Sequence, residues 1–186
     1  VVRLCARYKT PLVGRGAGTG LSAGALPCRN GVLLVTSRMN KVLHINALGR
    51  QARVQPGVIN ANISAAVKPH GLYYAPDPSS QLACAIAGNV AMNSGGAHRL
   101  KYGVTTNNLL GVTLVTMEGE ILHLGGAHLD AGRLDLLGVI CGSEGQLGVV
   151  TEATLRILPK PEGARPVLMG FDSNEVAGAC VSAIIK

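Results

Sequence analysis

Residues 14 to 24 read GRGAGTGLSAG, with glycine at positions 14, 16, 18, 20 and 24. The residues just before, PLVG, predict a short strand, so the glycine-rich stretch is expected to be a loop that follows a strand. Glycine adopts positive φ angles without strain and leaves backbone N–H groups uncovered, so successive amides can turn toward an anion. Thr19 and Ser22 add hydroxyl donors, and Arg15 adds positive charge. The stretch predicts a phosphate-binding loop, with a purely structural tight turn as the alternative.

The spacing of the glycines excludes two common phosphate-binding motifs. The dinucleotide fingerprint G-x-G-x-x-G would need a third glycine at Thr19, Leu21 or Ala23, and no acid follows ~20 residues later to hold a ribose. The Walker pattern is absent because no glycine pair at its spacing is followed by lysine. The loop is therefore expected to bind phosphate in another fold.

Charge is distributed unevenly along the 186 residues, which carry a formal net charge of +7. Ten Lys or Arg residues and no acid precede Asp77, whereas seven basic and ten acidic residues occur from Asp77 onward. A basic half indicates an anionic partner, either a phosphorylated cofactor or nucleic acid. One Phe, four Tyr and no Trp are too few for base-stacking platforms, and the basic residues are spread singly. We therefore expect no nucleic-acid binding.

Cysteines, histidines and apolar runs limit the class of protein. The five cysteines form no C-x-x-C pair and the five histidines are scattered, so reduced, mostly buried cysteines and no metal site are expected. No stretch reaches the roughly 18 apolar residues of a membrane span, and the first residues lack the pattern of a secretory signal. These features predict a cytoplasmic globular protein without a membrane span.

The hydrophobic pattern predicts an α+β fold. Helices are predicted within residues 1–9, 59–71, 83–96, 133–141 and near the C-terminus. Strands are predicted within residues 11–14, 31–39, 41–58, 107–125, 149–158 and from 167 onward. The strands on either side of residues 117–120 predict a hairpin. Pro69 and Gly71 are expected to end the second helix, and Leu4 and Ala6 are expected to face inward from the first. The prolines in residues 74–80 predict a rigid loop.

Four segments, in this order and spacing, resemble the PCMH-type FAD-binding domain of the vanillyl-alcohol-oxidase-type flavoproteins. They are VGRGAGTGLSAGALP (13–27), APDPSS (75–80), AIAGNVAMNSGGAHRLKYG (85–103) and CGSEGQLGVVTEATLRILPKP (141–161). The sequence is most similar to the branch of glycolate oxidases and D-lactate dehydrogenases. This resemblance covers nearly the whole chain. It implies an FAD-binding domain of two α+β lobes, about 1–70 and about 71–186, with the flavin between them.

The resemblance also implies which residues bind FAD. The glycine loop is expected to wrap the pyrophosphate through Arg15, Gly16, Ala17, Gly18, Thr19, Gly20, Leu21 and Ser22. The proline-stiffened loop is expected to approach the cofactor through Pro76, Asp77, Pro78 and Ser80. The third segment is expected to lie along the flavin and diphosphate through Gly88, Asn89, Asn93, Ser94, Gly95, Gly96, Tyr102 and Gly103. The fourth is expected near the adenosine and ribitol, with valine main chain suited to the adenine edge, through Glu144, Gly145, Gly148, Val149 and Val150.

Several of these residues also have an ordinary structural interpretation. Asn89 and Asn93 are equally expected to cap helix and turn backbone groups. The glycines of residues 142–148 are consistent with a simple turn, and Asp77 between two prolines with a turn residue. Two polar residues near the expected flavin are left without a role, because solvent exposure explains them as well: His98 and Lys101.

Three positions depart from the family pattern. Ala85 and Ala87 stand where relatives usually have threonine or serine followed by a glycine pair, and Met92 stands where an acid is common. These changes are expected to alter FAD affinity rather than the fold. Covalent members of the wider family have a histidine near the position of Thr19, and threonine cannot form that bond to flavin. A non-covalent, dissociable FAD is therefore predicted.

The resemblance implies oxidation of a D-2-hydroxy acid such as glycolate or D-lactate, with hydride passing to flavin N5. The base and the substrate pocket would belong to a C-terminal substrate domain that this sequence lacks, so no catalytic residue is assigned. The chain is expected to be a fragment that is inactive alone, with partner subunits of an oxidase complex. The alternatives are another substrate on the same fold, such as an alcohol, a sugar lactone or an aryl ether, and a non-enzymatic module that no longer holds flavin.

Overall fold

The strands form one five-stranded sheet and two small two-stranded sheets in the computed structural model, which describes residues 1–126 and 134–186. The strands are β1 Leu12–Arg15, β2 Val32–Val35, β3 Val42–Asn46, β4 Gln51–Val54, β5 Leu72–Tyr73, β6 Leu109–Val115, β7 Ile121–Gly125, β8 Val149–Arg156 and β9 Leu158–Pro159. The large sheet is antiparallel throughout, in the order β3-β4-β8-β6-β7. Strands β1 and β2 pair in parallel, and β5 and β9 pair antiparallel.

Helices separate and cover these strands. They are α1 Val2–Arg7, α2 Asn60–Val67, α3 Ile86–Met92, α4 Arg99–Tyr102, α5 Leu136–Ile140 and α6 Asn174–Ile185. Two short 3-10 turns occupy Lys68–His70 and Thr106–Asn108. The mixture of helices with a mainly antiparallel sheet confirms the predicted α+β class. No helix in the described ranges is long and apolar enough to cross a membrane.

The hydrophobic core lies between the five-stranded sheet and the helices α2 and α3. Ile63 of α2, Ile86 of α3 and Leu155 of β8 are completely buried in one cluster. Along β8 the buried positions Val150, Ala153 and Leu155 point to this core. Burial of such side chains supplies most of the driving force for folding, at roughly 25 cal/mol per Å² of apolar surface. The packing therefore fixes α3 against the sheet.

Local turn chemistry behaves as the sequence predicts. The second helix ends in the 3-10 turn that contains Pro69, and Gly71 follows with a φ of 69°. The predicted hairpin is formed by β6 and β7, where Val115 pairs with Ile121 and Gly119 adopts a φ of 84°. Positive φ at these two glycines is what a helix cap and a tight turn require.

Two local predictions are wrong. Leu4 and Ala6 face solvent, whereas Val2 and Cys5 are buried, because residues three apart share a face of a helix and residues two apart do not. The tail from residue 167 to the start of α6 contains no strand in the described structure. The predicted helix over residues 133–141 is observed as α5, while its first residue, Arg133, lies outside the described residues.

The division into two lobes near residue 70 stays a prediction. Strands β3 and β4 of the predicted first lobe belong to the same sheet as β6, β7 and β8 of the predicted second. The sheet boundary instead separates the β1-β2 pair from the five-stranded sheet.

Replacing Leu155 by alanine tests the core. The side chain is 0% exposed, so Leu155→Ala should lower the free energy of unfolding by about 2 to 5 kcal/mol through lost burial and a residual cavity. Urea denaturation would measure this. Leu48 is 99% exposed, and Leu48→Ala should change stability by less than about 0.5 kcal/mol. Equal effects of the two changes would contradict the core assignment.

Candidate functional site

The glycine-rich loop leaves the end of β1 and runs over the surface to β2. Strands β1 and β2 lie side by side in parallel, and residues 17–24 between them are exposed. Gly18 adopts a φ of 75°, and the Arg15 guanidinium lies directly over it, so that a β-carbon at position 18 would be 2.5 Å from Arg15 Nη2. The loop therefore combines an exposed backbone with a positive charge close to Gly18.

The amides of this loop are free. No described residue accepts a hydrogen bond from the backbone N–H groups of residues 18–22. Thr19 is exposed, and Leu21 is 100% exposed. Unpaired amides beside an arginine form a donor set suited to an anionic diphosphate. Phosphate binding by this loop stays a prediction.

The start of the glycine loop rests on the first turn of α3. A β-carbon at Gly16 would lie 3.2 Å from Ala85 Cβ and 3.8 Å from the Gly88 backbone nitrogen. A side chain at position 16 would fill the narrow space between loop and helix. Space remains open beside Gly88 itself, where an added β-carbon would meet nothing within 4 Å. The first and third predicted segments are thus in contact.

The proline-rich loop is held by one buried bond from the Asn60 side chain and by two backbone bonds. Pro76 and Pro78 are buried, and the buried amide of Asn60 donates to the Pro76 carbonyl at 3.1 Å. The amide of Gln81 donates to the Pro78 carbonyl at 2.8 Å, and the Gln81 carbonyl accepts from Ala61. The loop is therefore held against the first turn of α2, a contact that its prolines did not predict.

The end of α3 joins the third segment to the fourth. Asn93 ends the helix with left-handed φ and ψ angles of 48° and 52°. The amide of Gly142 donates to the Val90 carbonyl, and the amide of Glu144 donates to the Ala91 carbonyl, each at 2.8 Å. Glu144 itself has a φ of 54°. The GSEGQLG loop is therefore seated on the C-terminal turn of α3.

Residues 93–106 form a surface segment with a firmly closed base. The backbone and side-chain groups of Thr105 both donate to the Ser94 carbonyl, at 2.9 and 2.7 Å. The amide of Thr106 donates to the Asn93 side-chain oxygen at 2.9 Å. Farther out, Gly96 lies against the proline-rich loop so closely that a β-carbon there would be 1.9 Å from the Asp77 carbonyl oxygen. The second and third segments therefore also meet.

The fourth segment enters the sheet at β8. Gly148 has a φ of 152°, and a β-carbon there would lie 2.6 Å from the Val115 carbonyl oxygen. Val149 pairs with Val115 of β6, and Val150 is buried in the core. Strand β4 pairs only with residues 153–156 of β8, so within the described chain the β4 side of residues 149–152 has no strand partner. The main chain at Val149 and Val150 therefore has an open edge.

Burial raises the pKa values of two groups near α3 and keeps both neutral over a wider pH range. Burial raises the pKa of the Cys141 thiol to about 11, so this cysteine is protonated at neutral pH and contacts Asn93 Oδ1 as a weak donor at 3.5 Å. Burial also raises the pKa of the Tyr74 hydroxyl, which stays neutral. The Asn89 side-chain nitrogen is one of four buried side-chain atoms without a hydrogen-bond partner among the described residues, together with Tyr73 Oη, Tyr74 Oη and Arg156 Nε. An unpaired buried donor next to the site fits a ligand that accepts a hydrogen bond there.

The structure brings most, but not all, of the predicted residues together. The first segment contacts α3 at Gly16, the fourth bonds to its last turn through Glu144, and the second meets the third beyond α3, at Gly96. Residues 19–22 of the glycine loop extend into solvent instead. Sequence reasoning missed Asn60, which holds the proline-rich loop, and named His98 without predicting its contact with Asp77.

Comparisons with known proteins agree with this geometry. Residues 1–125 match the FAD binding domain family. The chain belongs to this family. Glycolate oxidase subunit GlcD of Escherichia coli strain K12 is 58% identical over 185 residues, covering 100% of this chain. Glycolate oxidase subunit GlcD of Bacillus subtilis is 40% identical over 186 residues, and D-lactate dehydrogenase of Anaerostipes hadrus is 35% identical over 176.

The chain spans only part of these relatives. It covers 37% of the Escherichia coli protein, 40% of the Bacillus subtilis protein and 37% of the Anaerostipes hadrus protein. A solved structure of alkyldihydroxyacetonephosphate synthase superposes with a TM-score of 0.76 at 27% identity, over 87% of this chain and 32% of that one. The family and fold implied by the sequence resemblance are thus confirmed.

Membership of the family gives FAD as the cofactor, and the residues present fit it. The fit rests on the free amides of residues 18–22, on the open space beside Gly88 and on the unpaired Asn89 nitrogen. The described residues contain no group of three or more His, Cys, Asp or Glu that could hold a metal ion. The site is therefore built mainly from backbone groups and small residues.

Gly96→Ala tests the close contact between the second and third segments. The added methyl group would overlap the Asp77 carbonyl, so the two segments must move apart, and the free energy of unfolding should fall by about 1 to 3 kcal/mol. The matched control is Gly163→Ala, because a β-carbon at Gly163 meets nothing within 4 Å. Equal melting temperatures for the Gly96 variant and the unmodified protein would show that the contact is not tight in solution.

Proposed function

We propose that this chain is the FAD-binding part of a flavin-dependent oxidoreductase that oxidises a D-2-hydroxy acid such as glycolate or D-lactate. The observation that carries the proposal is the 58% identity over the chain to a glycolate oxidase subunit, joined to the four segments that meet around α3. The D-lactate dehydrogenases among the relatives support the same class of substrate.

We propose that each of the four segments binds a different part of the cofactor. The glycine loop would bind the pyrophosphate with the amides of residues 16–22 and the guanidinium of Arg15. The proline-rich loop would present fixed carbonyls and amides through residues 76–80. Residues 88–96 with Tyr102 and Gly103 would lie along the flavin and diphosphate. Residues 144–150 would contact the adenosine and ribitol, with the open main-chain edge at Val149 and Val150 facing the adenine.

Backbone donors suit this task because the ligand is anionic and must be approached closely. Hydrogen bonds from amides to a charged diphosphate are about twice as strong as neutral ones. Glycine and alanine at Gly16, Ala85 and Gly88 keep the loop close to the helix. Bound FAD would accept the hydride, and the protein would position the flavin and set its electrostatic surroundings. Thr19 cannot bond covalently to flavin, so the cofactor is proposed to dissociate.

The proposed substrate and partners are supported by the relatives alone. The names of the GlcD proteins describe a subunit of glycolate oxidase, so we propose that partner subunits bind this protein too, in the cytoplasm. The structural similarity to alkyldihydroxyacetonephosphate synthase favours a second candidate, the same fold acting on a different substrate. A third reading, a module that no longer holds flavin, predicts a colourless protein.

Gly18→Glu tests the cofactor site. The purified protein, mixed with FAD and desalted, should retain flavin absorbance near ~450 nm, and bound FAD should raise its melting temperature. A glutamate at position 18 places a negative charge on the diphosphate path and a side chain where φ is positive, so the dissociation constant for FAD should rise about tenfold or more.

The control for this experiment is Gly163→Glu, which makes the same chemical change at an open surface position outside the four segments. It should leave FAD binding unchanged. If the unmodified protein retains no FAD, the result favours the hypothesis of a non-enzymatic module. If both variants bind FAD equally, the glycine loop is only a turn.

The choice of substrate is tested by anaerobic reduction of the flavin. In the whole protein that carries this chain, glycolate or D-lactate should bleach the absorbance near ~450 nm, whereas L-lactate should not, because the family transfers hydride to bound FAD. Bleaching by neither acid, with retention of FAD, would favour the second candidate.

A further inference from the structure

The tip of the 93–106 segment is joined to the proline-rich loop by one histidine. His98 Nδ1 and Asp77 Oδ2 lie 2.6 Å apart, and the His98 backbone N–H donates to Asp77 Oδ1 at 3.3 Å. Both oxygens of one carboxylate thus face one residue. The His98 side chain is 62% exposed and that of Asp77 is 21% exposed, so the pair lies at the mouth of the site rather than in the core.

The His98–Asp77 pair lies where it can restrain the exposed tip of the 93–106 segment. The base of the segment is closed by Asn93 and Ser94, which bond with Thr105 and Thr106, but residues 97–101 are exposed. The tip includes the short helix α4, whose first turn follows His98 directly. A bond at His98 therefore restrains the part of the segment that its base does not reach.

We propose that His98 is a positioning residue of the FAD site, which latches the tip of the 93–106 segment to the proline-rich loop through Asp77. The inference rests on the proposed assignment of both segments to FAD. The histidine acts through Asp77 and Gly96 and does not itself contact the cofactor. A closed latch holds Gly96 against the Asp77 backbone and so fixes the spacing of two cofactor-binding segments before FAD arrives.

Preorganisation of this kind acts on affinity. A segment that is already ordered loses less conformational freedom when a ligand binds, so binding is tighter without any new contact to the ligand. The bond between an imidazole and a carboxylate is charge-assisted, but its exposure reduces its strength. Loss of the latch should therefore raise the dissociation constant for FAD by about threefold to tenfold.

The test compares His98→Asn with His98→Gln. The asparagine amide nitrogen occupies nearly the place of Nδ1, which faces Asp77, whereas the glutamine amide nitrogen reaches nearly the place of Nε2, which does not. Asparagine should restore FAD affinity to within about twofold of the unmodified protein, while glutamine and alanine should give the full loss. If His98 were only a polar surface residue, the asparagine and glutamine variants would bind FAD equally well.

A second readout needs no cofactor. Trypsin cleaves after Arg99 and Lys101, both in the exposed tip, so the cleavage rate at these bonds in FAD-free protein reports on the latch. His98→Ala and His98→Gln should speed this cleavage several-fold, and His98→Asn should not. In protein that already carries Asp77→Ala, His98→Ala should have no further effect on either readout.

Each outcome decides between the proposals. If the unmodified protein binds FAD and all three His98 variants bind it equally well, the latch is overturned while the proposed cofactor site stands. If alanine, glutamine and asparagine all weaken binding equally, the side chain has no specific donor role and the latch is again overturned. If the unmodified protein binds no FAD, the proposed site itself falls, and the latch as a positioning device for FAD falls with it.

Discussion

The C-terminal turn of α3 is the point on which the rest of the site depends. A helix cannot satisfy its own last carbonyl groups, and in this protein other parts of the chain supply the donors. The carbonyls of Asn89, Val90 and Ala91 accept from Ser94, Gly142 and Glu144. One turn of a seven-residue helix therefore joins segments that are about fifty residues apart in sequence.

The sheet makes this junction rigid. Strand β8 lies between β4 and β6, and its buried side chains pack on the face that also carries α3. Gly148 permits β8 to begin directly against the Val115 carbonyl, where any side chain would collide. The GSEGQLG loop thus has both ends fixed, one on the helix and one on the sheet. Loops held at both ends keep their amides in place without a ligand, which reduces the entropy cost of binding.

Local features of this fold could be predicted from the sequence, and contacts between distant segments could not. Gly71 and Gly119 mark a helix end and a hairpin because a positive φ angle is a property of one residue and its neighbours. Asn60 and His98 gave no such signal, because each acts on a residue 16 to 21 positions away. The strand expected after residue 167 failed for a similar reason, since a β-propensity has no effect without a neighbouring strand.

The resemblance to a family identified the four segments, but not how they touch. Their glycines and asparagines are compatible with simple turns, and only the packing around α3 distinguishes a site from four separate turns. The Asn89 nitrogen illustrates the difference, because in the sequence it is an ordinary capping residue, and in the structure it is a buried donor without a partner. A buried unpaired donor costs about 1 to 3 kcal/mol, which a ligand that accepts its hydrogen bond would recover.

Ala85, where a departure from the family pattern is expected, is in close contact with the glycine loop in this structure. Its methyl group is buried and lies 3.2 Å from the place that a β-carbon of Gly16 would occupy. A hydroxyl at position 85 would give a donor at this contact, whereas the methyl gives only van der Waals packing. The packing sets the distance between Gly16, at the start of the glycine loop, and the first turn of α3. At the contact between Gly16 and Ala85, small residues pack closely and no side-chain hydrogen bond is formed by either residue.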